Sequence, residues 1–165
     1  TDTGCFQYNG VTSQTYEIIS YLLKKKIDQS EIYNNVYNNS TKSKLTVLGK
    51  ALGSLKVLKN HNTSFMHLTK KDLLESNYQK GDSEGIVNYG LTLSNINFTA
   101  IFIEDIDQED LIKISFRSKI DFPCNKFAEQ YFEGGGHINA AGGKFIGSIK
   151  DAIELFKEKI KEFQV

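Results

Sequence analysis

The first third of the chain carries apolar side chains at the three- and four-residue spacing that is typical of amphipathic helices. This spacing predicts a helix over residues 13–26, a second helix that begins at the capping-box sequence 28–31, and a third helix over residues 42–58. Gly49 and Gly53 lie inside the third helix, and each weakens it by roughly 1 kcal/mol relative to alanine. We therefore expect close packing against a neighbouring element at these two glycines.

The pattern changes after residue 60, where runs typical of strands begin. A strand is predicted over residues 63–68, followed by a short helix over residues 69–76. Residues 98–103 are almost continuously apolar, which is typical of a strand buried on both faces. Residues 111–119 instead alternate between apolar and polar side chains, so one side of that strand is expected to face the core. With the acidic link 105–110 between them, these two strands predict a hairpin.

The remaining segments complete an alternating order of helices and strands. Residues 82–85 can begin a further helix, and residues 125–132 predict another one. A short strand near Lys144 precedes a final helix over residues 148–163, which begins with side chains at capping-box spacing. The predicted fold class is α/β, with an N-terminal helical segment followed by a mixed β-sheet flanked by helices.

Composition narrows the kinds of partner and the compartment. Lysine and arginine balance aspartate and glutamate at 20 each, whereas a protein that grips a long duplex usually carries excess positive charge. A short or small phosphorylated ligand therefore fits better. Cys5 and Cys124 form neither a metal-type pair nor a disulfide framework, which favours free thiols in a reducing compartment. Without an apolar run of about 18–20 residues or a signal-peptide pattern, we expect a cytoplasmic protein that does not enter a membrane.

The sharpest chemical signal is the glycine cluster Gly134, Gly135 and Gly136 with His137 directly after it. Glycines without side chains let backbone N–H groups approach an anion closely and point at it together. A helix turn beginning near Asn139 would strengthen that attraction, and the imidazole adds a donor for a phosphate oxygen. The alternative is a flexible glycine loop with an incidental histidine, but the small residues that follow indicate tight packing.

A second signal is the polar side of the alternating strand, where Lys113, Ser115, Arg117, Ser118 and Lys119 occur. The guanidinium of Arg117 is a planar fork suited to bidentate phosphate binding, and neighbouring hydroxyls can complete the contact. The alternative is an ordinary amphipathic strand with its wet side outward. From the residues themselves the two interpretations have about equal weight.

Other candidate motifs are weaker. Asp2 lies in a predicted tight turn, and it is either structural or one carboxylate of a divalent-metal site whose other ligands lie upstream. The acidic link 105–110 lacks the glycine and the closing glutamate of a calcium loop. The histidines and cysteines lack zinc-site spacing, and the serines lack the context of a nucleophile elbow.

Read together, the motifs resemble the DHHA1 domain at the C-terminus of DHH-family phosphoesterases, above all the bifunctional oligoribonuclease and pAp phosphatase branch. The segments that carry this resemblance occur in the order of the family: residues 1–6, 82–88, 115–119 and 134–142. The resemblance implies that residues 1–60 hold the end of the DHH domain and a helical linker, and that residues 61–165 form the DHHA1 domain.

The resemblance also implies a mechanism and partners. The DHH domain of such proteins binds two divalent ions, typically Mn²⁺, and Asp2 would be a metal ligand at the edge of this chain. A metal-bound water would attack phosphorus while the metals stabilise developing charge. The substrate phosphate would be held by residues of this chain, namely Arg117, Ser118, Lys119, Gly134, Gly135, Gly136 and His137. The expected partners are short single-stranded RNA or small phosphorylated nucleotides, the DHH domain of the same protein and, as a further possibility, a second copy in a homodimer.

The chain departs from the family pattern because it has no Asp-His-His sequence. We therefore predict that the chain by itself is catalytically inactive while its parent protein is an enzyme. An RNA-binding module like the C-terminal domain of alanyl-tRNA synthetases is the main alternative from another class. Within the enzyme class, RecJ-like exonucleases, cyclic-dinucleotide phosphodiesterases and exopolyphosphatases stay open.

Overall fold

The computed structural model describes residues 5–6, 10–119 and 122–163. Contacts divide the chain into two compact units, Thr1–Ser40 and Thr41–Val165. No helix in the described part is long and apolar enough to cross a membrane.

The described residues of the first unit form two helices, α1 (Ser13–Lys24) and α2 (Gln29–Tyr37), and none of the residues of these helices is buried. Helix α2 begins where predicted, because the Asp28 carboxylate accepts a hydrogen bond from the Glu31 backbone N–H at 2.8 Å. Helix α1 ends two residues before its predicted end, since Lys26 adopts a left-handed backbone with φ of 61°.

The second unit is a six-stranded sheet with helices on both faces. Its strand order is β1-β2-β3-β4-β6-β5, in which β2 and β3 are parallel and the other neighbours are antiparallel. The strands are β1 (Lys56–Leu58), β2 (Thr63–Leu68), β3 (Phe98–Glu104), β4 (Leu111–Ser118), β5 (Gly135–His137) and β6 (Ala140–Ile146). The helices are α3 (Lys42–Gly53), α4 (Lys70–Glu75), α5 (Cys124–Tyr131) and α6 (Ile149–Glu162), with 3₁₀ helices at Lys59–His61 and Ile86–Thr92. The mixed α/β class, the strand over 63–68 and the hairpin of β3 with β4 are confirmed.

Each face of the sheet has its own core. Helices α5 and α6 cover one face with a cluster of phenylalanines, in which Phe98 and Phe127 meet edge to face with ring centroids 5.2 Å apart. Helices α3 and α4 and the longer 3₁₀ helix cover the other face around Met66 and Ile101. Because side chains alternate along a strand, each position of the sheet belongs to one of these faces.

The third helix is shorter than predicted and ends at Gly53. The hydroxyl of Ser54 donates to the His67 carbonyl at 2.9 Å and accepts the His67 backbone N–H at 2.8 Å. This pair fixes the chain beside β2, so residues 56–58 become an edge strand rather than a further helical turn. The close packing expected at Gly49 and Gly53 is also wrong, since a Cβ on either glycine would have nothing within 4 Å.

The segment after Asp82 also differs from its prediction. The buried Asp82 carboxylate accepts the Gln79 backbone N–H at 2.9 Å instead of capping a helix of its own. The helix that follows is 3₁₀ and starts at Ile86, after Gly85 with φ of 80°. The last helix is capped by Ser148 as predicted, since its hydroxyl accepts the Asp151 N–H.

Candidate functional site

The glycine cluster forms a β-hairpin. Strands β5 and β6 pair antiparallel and are joined by the two-residue turn Ile138–Asn139. The glycine cluster is therefore followed by a hairpin turn, and no helix N-terminus near Asn139 adds to its attraction for an anion. The side-chain amide of Asn139 donates to the Ser118 hydroxyl at 2.9 Å and to the Lys119 carbonyl at 2.8 Å. These two bonds attach the hairpin turn to the end of β4.

The glycines of this hairpin serve two different purposes. Gly136 has φ of 143°, and a Cβ there would lie 2.6 Å from the Ala140 carbonyl oxygen, so the fold itself requires glycine. A Cβ on Gly134 would lie 2.0 Å from the Gly142 carbonyl oxygen. Gly142 itself is different, because it is exposed and its nearest contact would be the Ile114 carbonyl oxygen at 3.7 Å. The missing side chain at Gly142 is thus not needed for folding, and it leaves the sheet surface open.

Arg117, Ala140 and His137 form one row across β4, β6 and β5. Ala140 is the direct partner of Arg117 on one side and of His137 on the other. Directly opposed residues of antiparallel strands share a face, and this row lies on the face away from the phenylalanine core. Neighbouring strands are about 4.8 Å apart, so the backbones of Arg117 and His137 are roughly 10 Å apart. The small Ala140 leaves the space between their side chains open.

Arg117 is the only arginine in the sequence, against 19 lysines, and it is half-buried. One guanidinium nitrogen, Nη1, donates to the Phe116 carbonyl at 2.8 Å. Among the residues that the structure describes, no carboxylate forms a salt bridge with it. Its positive charge and its remaining donors are therefore available for an anionic ligand.

The lysines further along the same face are already paired with carboxylates. Lys113 forms a salt bridge with Asp105, and their hydrogen bond raises the pKa of the lysine and lowers the pKa of the carboxyl. Lys144 lies 3.3 Å from the Glu133 carboxylate. The unpaired charge on this part of the face is consequently concentrated at Arg117.

The row continues beyond Arg117 into a buried polar pair that the sequence analysis missed. Thr99 is the partner of Arg117 on β3, and its hydroxyl is 2.9 Å from that of Ser64 on β2. Both residues are completely buried under the 3₁₀ helix, where a Cβ on Gly90 would lie 2.0 Å from Thr99 Oγ1. The available signal was a hydroxyl residue inside each of two strongly apolar strands. This pair gives Arg117 a closely packed neighbour on one side.

Comparison with known proteins identifies the family of this fold. Residues 62–164 match the model of the DHHA1 domain. The chain belongs to the DHHA1 family. It is 32% identical over 143 residues to the bifunctional oligoribonuclease and PAP phosphatase NrnA of Bacillus subtilis, covering 86% of this chain and 43% of that protein. The family assignment places the chain among domains of phosphoesterases. The matched part covers less than half the length of this relative.

Solved structures agree with the fold of this DHHA1 chain. The crystal structure of an exopolyphosphatase-related protein from Bacteroides fragilis superposes with a TM-score of 0.92 at 43% identity, covering 98% of this chain and 46% of that one. A pGpG-specific phosphodiesterase from Vibrio cholerae superposes with a TM-score of 0.55 at 19% identity, over 94% of this chain and 52% of the other. The latter likeness concerns the fold only. The domain boundary between residues 60 and 61 stays a prediction.

Two other predicted ligand-binding residues of the DHHA1 domain lie apart from the row. Ser118 is buried on the opposite face, where its hydroxyl donates to the Phe122 carbonyl at 2.6 Å. Lys119 is exposed directly after β4, and its backbone N–H donates to the Asn97 carbonyl at 2.8 Å. The structure thus brings Arg117 into one row with His137, whereas the Ser118 hydroxyl lies on the opposite face and contacts the hairpin turn through the Asn139 amide.

The described residues do not fit a divalent-metal site. They contain no group of three or more His, Cys, Asp or Glu side chains that could hold a metal ion. Asp2, the predicted metal ligand, lies outside the described residues. The described DHHA1 residues can instead bind an anion through the hydrogen-bond donors of Arg117 and His137.

Proposed function

We propose that this chain is the substrate-binding part of a metal-dependent phosphoesterase that acts on short oligoribonucleotides or pAp-type nucleotides. The observation that carries the proposal is the unpaired, half-buried Arg117 in one row with His137 across the open position of Ala140. A phosphate placed over Ala140 would accept two hydrogen bonds from the guanidinium and a third from the imidazole.

The open sheet surface at the site suits a short ligand that carries only a few phosphates. Ala140 and Gly142 leave the face open along β6, so a ligand can lie on the backbone between β4 and β5. A long nucleic acid is bound through many phosphate contacts, whereas this face offers one unpaired arginine. The oligoribonuclease and PAP phosphatase functions of the Bacillus subtilis relative support this choice of substrate class.

Cleavage is assigned to a part of the protein outside the described residues. We propose that a DHH domain binds the catalytic divalent ions, Mn²⁺ or a similar cation, and that Asp2 contributes to that centre. The relatives are about twice as long as this chain, which leaves room for such a domain. The described residues would bind and orient the phosphate, and the chain by itself would not turn over substrate.

The test is a calorimetric titration of the chain with pAp and with a 5′-phosphorylated dinucleotide. Removing a charge-assisted hydrogen bond costs about 1.5–3 kcal/mol, so Arg117→Gln should weaken binding roughly 10-fold to 100-fold. His137→Gln should weaken it by a smaller factor. Matched controls are Lys126→Gln and His61→Gln, both at exposed positions away from the row, and both should bind like the wild type.

Two results would contradict the proposal. One is unchanged affinity of the Arg117→Gln and His137→Gln variants for both ligands. The other is tight binding of inorganic polyphosphate with no competition by pAp, which would favour the exopolyphosphatase alternative. Turnover of pAp by this chain with Mn²⁺ would overturn the assignment of cleavage to another part of the protein.

A further inference from the structure

A second cavity lies on the opposite face of the sheet, between strand β2 and helix α6. Its volume is about 310 Å³, near the lower end of the range of roughly 300–1,000 Å³ that is typical of small-molecule sites. It contains no residue of the Arg117–His137 row. Its lining combines the charged side chains of Lys56, Lys150, Glu154 and Lys157 with Phe65, Ile149, Ile153 and His67.

The inner wall of this cavity is apolar. Phe65 packs edge-on against Phe156, with ring centroids 6.1 Å apart, and Ile149 and Ile153 line the α6 side. Phe65 and Ile153 belong to the buried core cluster. A flat apolar group can bind against such a wall without displacing buried side chains.

The outer part of the cavity is cationic. Lys157 is paired with Glu154 at 2.8 Å, and its ammonium lies 5.6 Å from the centroid of the Phe65 ring. Lys56 and Lys150 make no salt bridge with any described residue. Three lysines against one glutamate give the lining a formal charge of +2 on a chain whose net charge is zero. A phosphate monoester carries about −1.5 to −2 at neutral pH, which matches this lining.

His67 adds one directed donor. Its Nδ1 is buried and has no hydrogen-bond partner among the described residues. Of the two neutral tautomers, the one with its proton on Nε2 leaves no buried N–H without an acceptor. His67 lines the cavity, and in this tautomer its Nε2 is the nitrogen that can donate to a ligand there.

From the lining we infer that this cavity binds a nucleoside monophosphate, with the base against Ile149 and Ile153 and the phosphate between Lys56, Lys150 and His67. The cavity size, the apolar wall and the charge of the rim together favour one ring and one phosphate. The sheet separates this cavity from Arg117 and His137, so one short ligand cannot contact both. The inference is independent of the function proposed above.

The test uses the whole chain and AMP as the probe, with adenosine and inorganic phosphate as its two halves. Methyl NMR of isoleucine should show AMP-dependent shifts at Ile149 and Ile153, and adenosine or phosphate should bind at least ten times more weakly. The double variant Lys56→Glu/Lys150→Glu should lose at least tenfold in AMP affinity. The charge-matched control Lys80→Glu/Lys126→Glu, at exposed positions outside the cavity, should retain it.

The experiment separates this site from the Arg117 row. AMP should still shift the Ile149 and Ile153 methyls in the Arg117→Gln variant. The inference is overturned if AMP causes no shift at these methyls, or if the shifts vanish in Arg117→Gln. Equal binding of inorganic phosphate and AMP would reject the nucleotide class, and equal loss in the two double variants would reject the assigned lysines.

Discussion

The side-chain amide of Asn139 donates to the Ser118 hydroxyl across 2.9 Å and thereby joins the β5–β6 turn to the end of β4. Neither side chain lies in the row of Arg117 and His137. The contact nevertheless determines where the hairpin, and with it His137, lies relative to β4.

Replacing Asn139 by alanine should therefore affect stability and ligand affinity together. The variant loses the bonds to the Ser118 hydroxyl and the Lys119 carbonyl, and each lost bond costs about 0.5–1.5 kcal/mol. Urea unfolding measures the stability and calorimetry with pAp measures the affinity. Asn60→Ala, at an exposed position, is the control. Full wild-type stability of Asn139→Ala would show that the contact does not hold the hairpin.

Two glycines of the hairpin should separate folding from binding. Gly136→Ala should destabilise the domain by about 1–3 kcal/mol, because the backbone conformation disfavours any side chain. Gly142→Ala should keep the stability, since its methyl meets nothing closer than 3.7 Å, but should weaken ligand binding by occupying the open floor. Thermal unfolding and pAp titration of both variants test this difference. Equal effects of the two substitutions on both quantities would contradict it.

The 3₁₀ helix should tolerate no side chain at Gly90. A Cβ there would lie 2.0 Å from Thr99 Oγ1 and 2.6 Å from Ser64 Oγ, so Gly90→Ala must shift the helix at a cost of about 1–3 kcal/mol. Gly49→Ala is the matched control, since it lies in α3 with nothing within 4 Å of its Cβ. That change should stabilise the protein by roughly 0.5–1 kcal/mol. Urea unfolding measures the change in the free energy of unfolding for both variants. A change of the same sign in both would refute this prediction.

The Lys113–Asp105 pair should contribute stability that depends on pH. The hydrogen bond from Lys113 lowers the pKa of Asp105 below the unfolded value of about 3.9. The contribution is therefore fully present above about pH 3.9 and is lost as the pH falls through the folded pKa. Asp105→Asn should be less stable than the wild type at pH 7, by up to about 1 kcal/mol for the ion pair. The difference should shrink in urea titrations below pH 3, and a constant difference would contradict the assignment.

Local patterns predicted much of the fold but not the contacts that assemble the site. The alternation along β4 placed Arg117 on the polar side, and the glycine cluster identified His137. Their common row depends on the pairing of β4 with β6, which is a long-range contact that neither segment encodes alone. The hairpin turn at residues 138–139 also lacks the Asn-Gly or Asp-Gly sequence that signals such turns.

The edge strand β1 shows the same limit. Residues 56–58 continue an apolar spacing that suits a helix, and this spacing predicts that the third helix extends through Leu58. The bonds between Ser54 and His67 redirect this segment onto the sheet. Tertiary contacts thus overrule the local preference, and the amino-acid pattern near residue 56 contains no signal for them.

Strand β5 is only three residues long, forms the outer edge of the sheet and pairs with β6 alone among the described strands. A phosphate held by both Arg117 and His137 would connect the edge strand β5 to the interior strand β4 without adding any contact between protein groups. Ligand binding and the local opening of β5 away from β6 would then be thermodynamically coupled. Hydrogen exchange of the Gly135 and His137 amides should accordingly slow down as the ligand concentration rises. The exchange rate of β5 would thus measure the fraction of protein that has ligand bound.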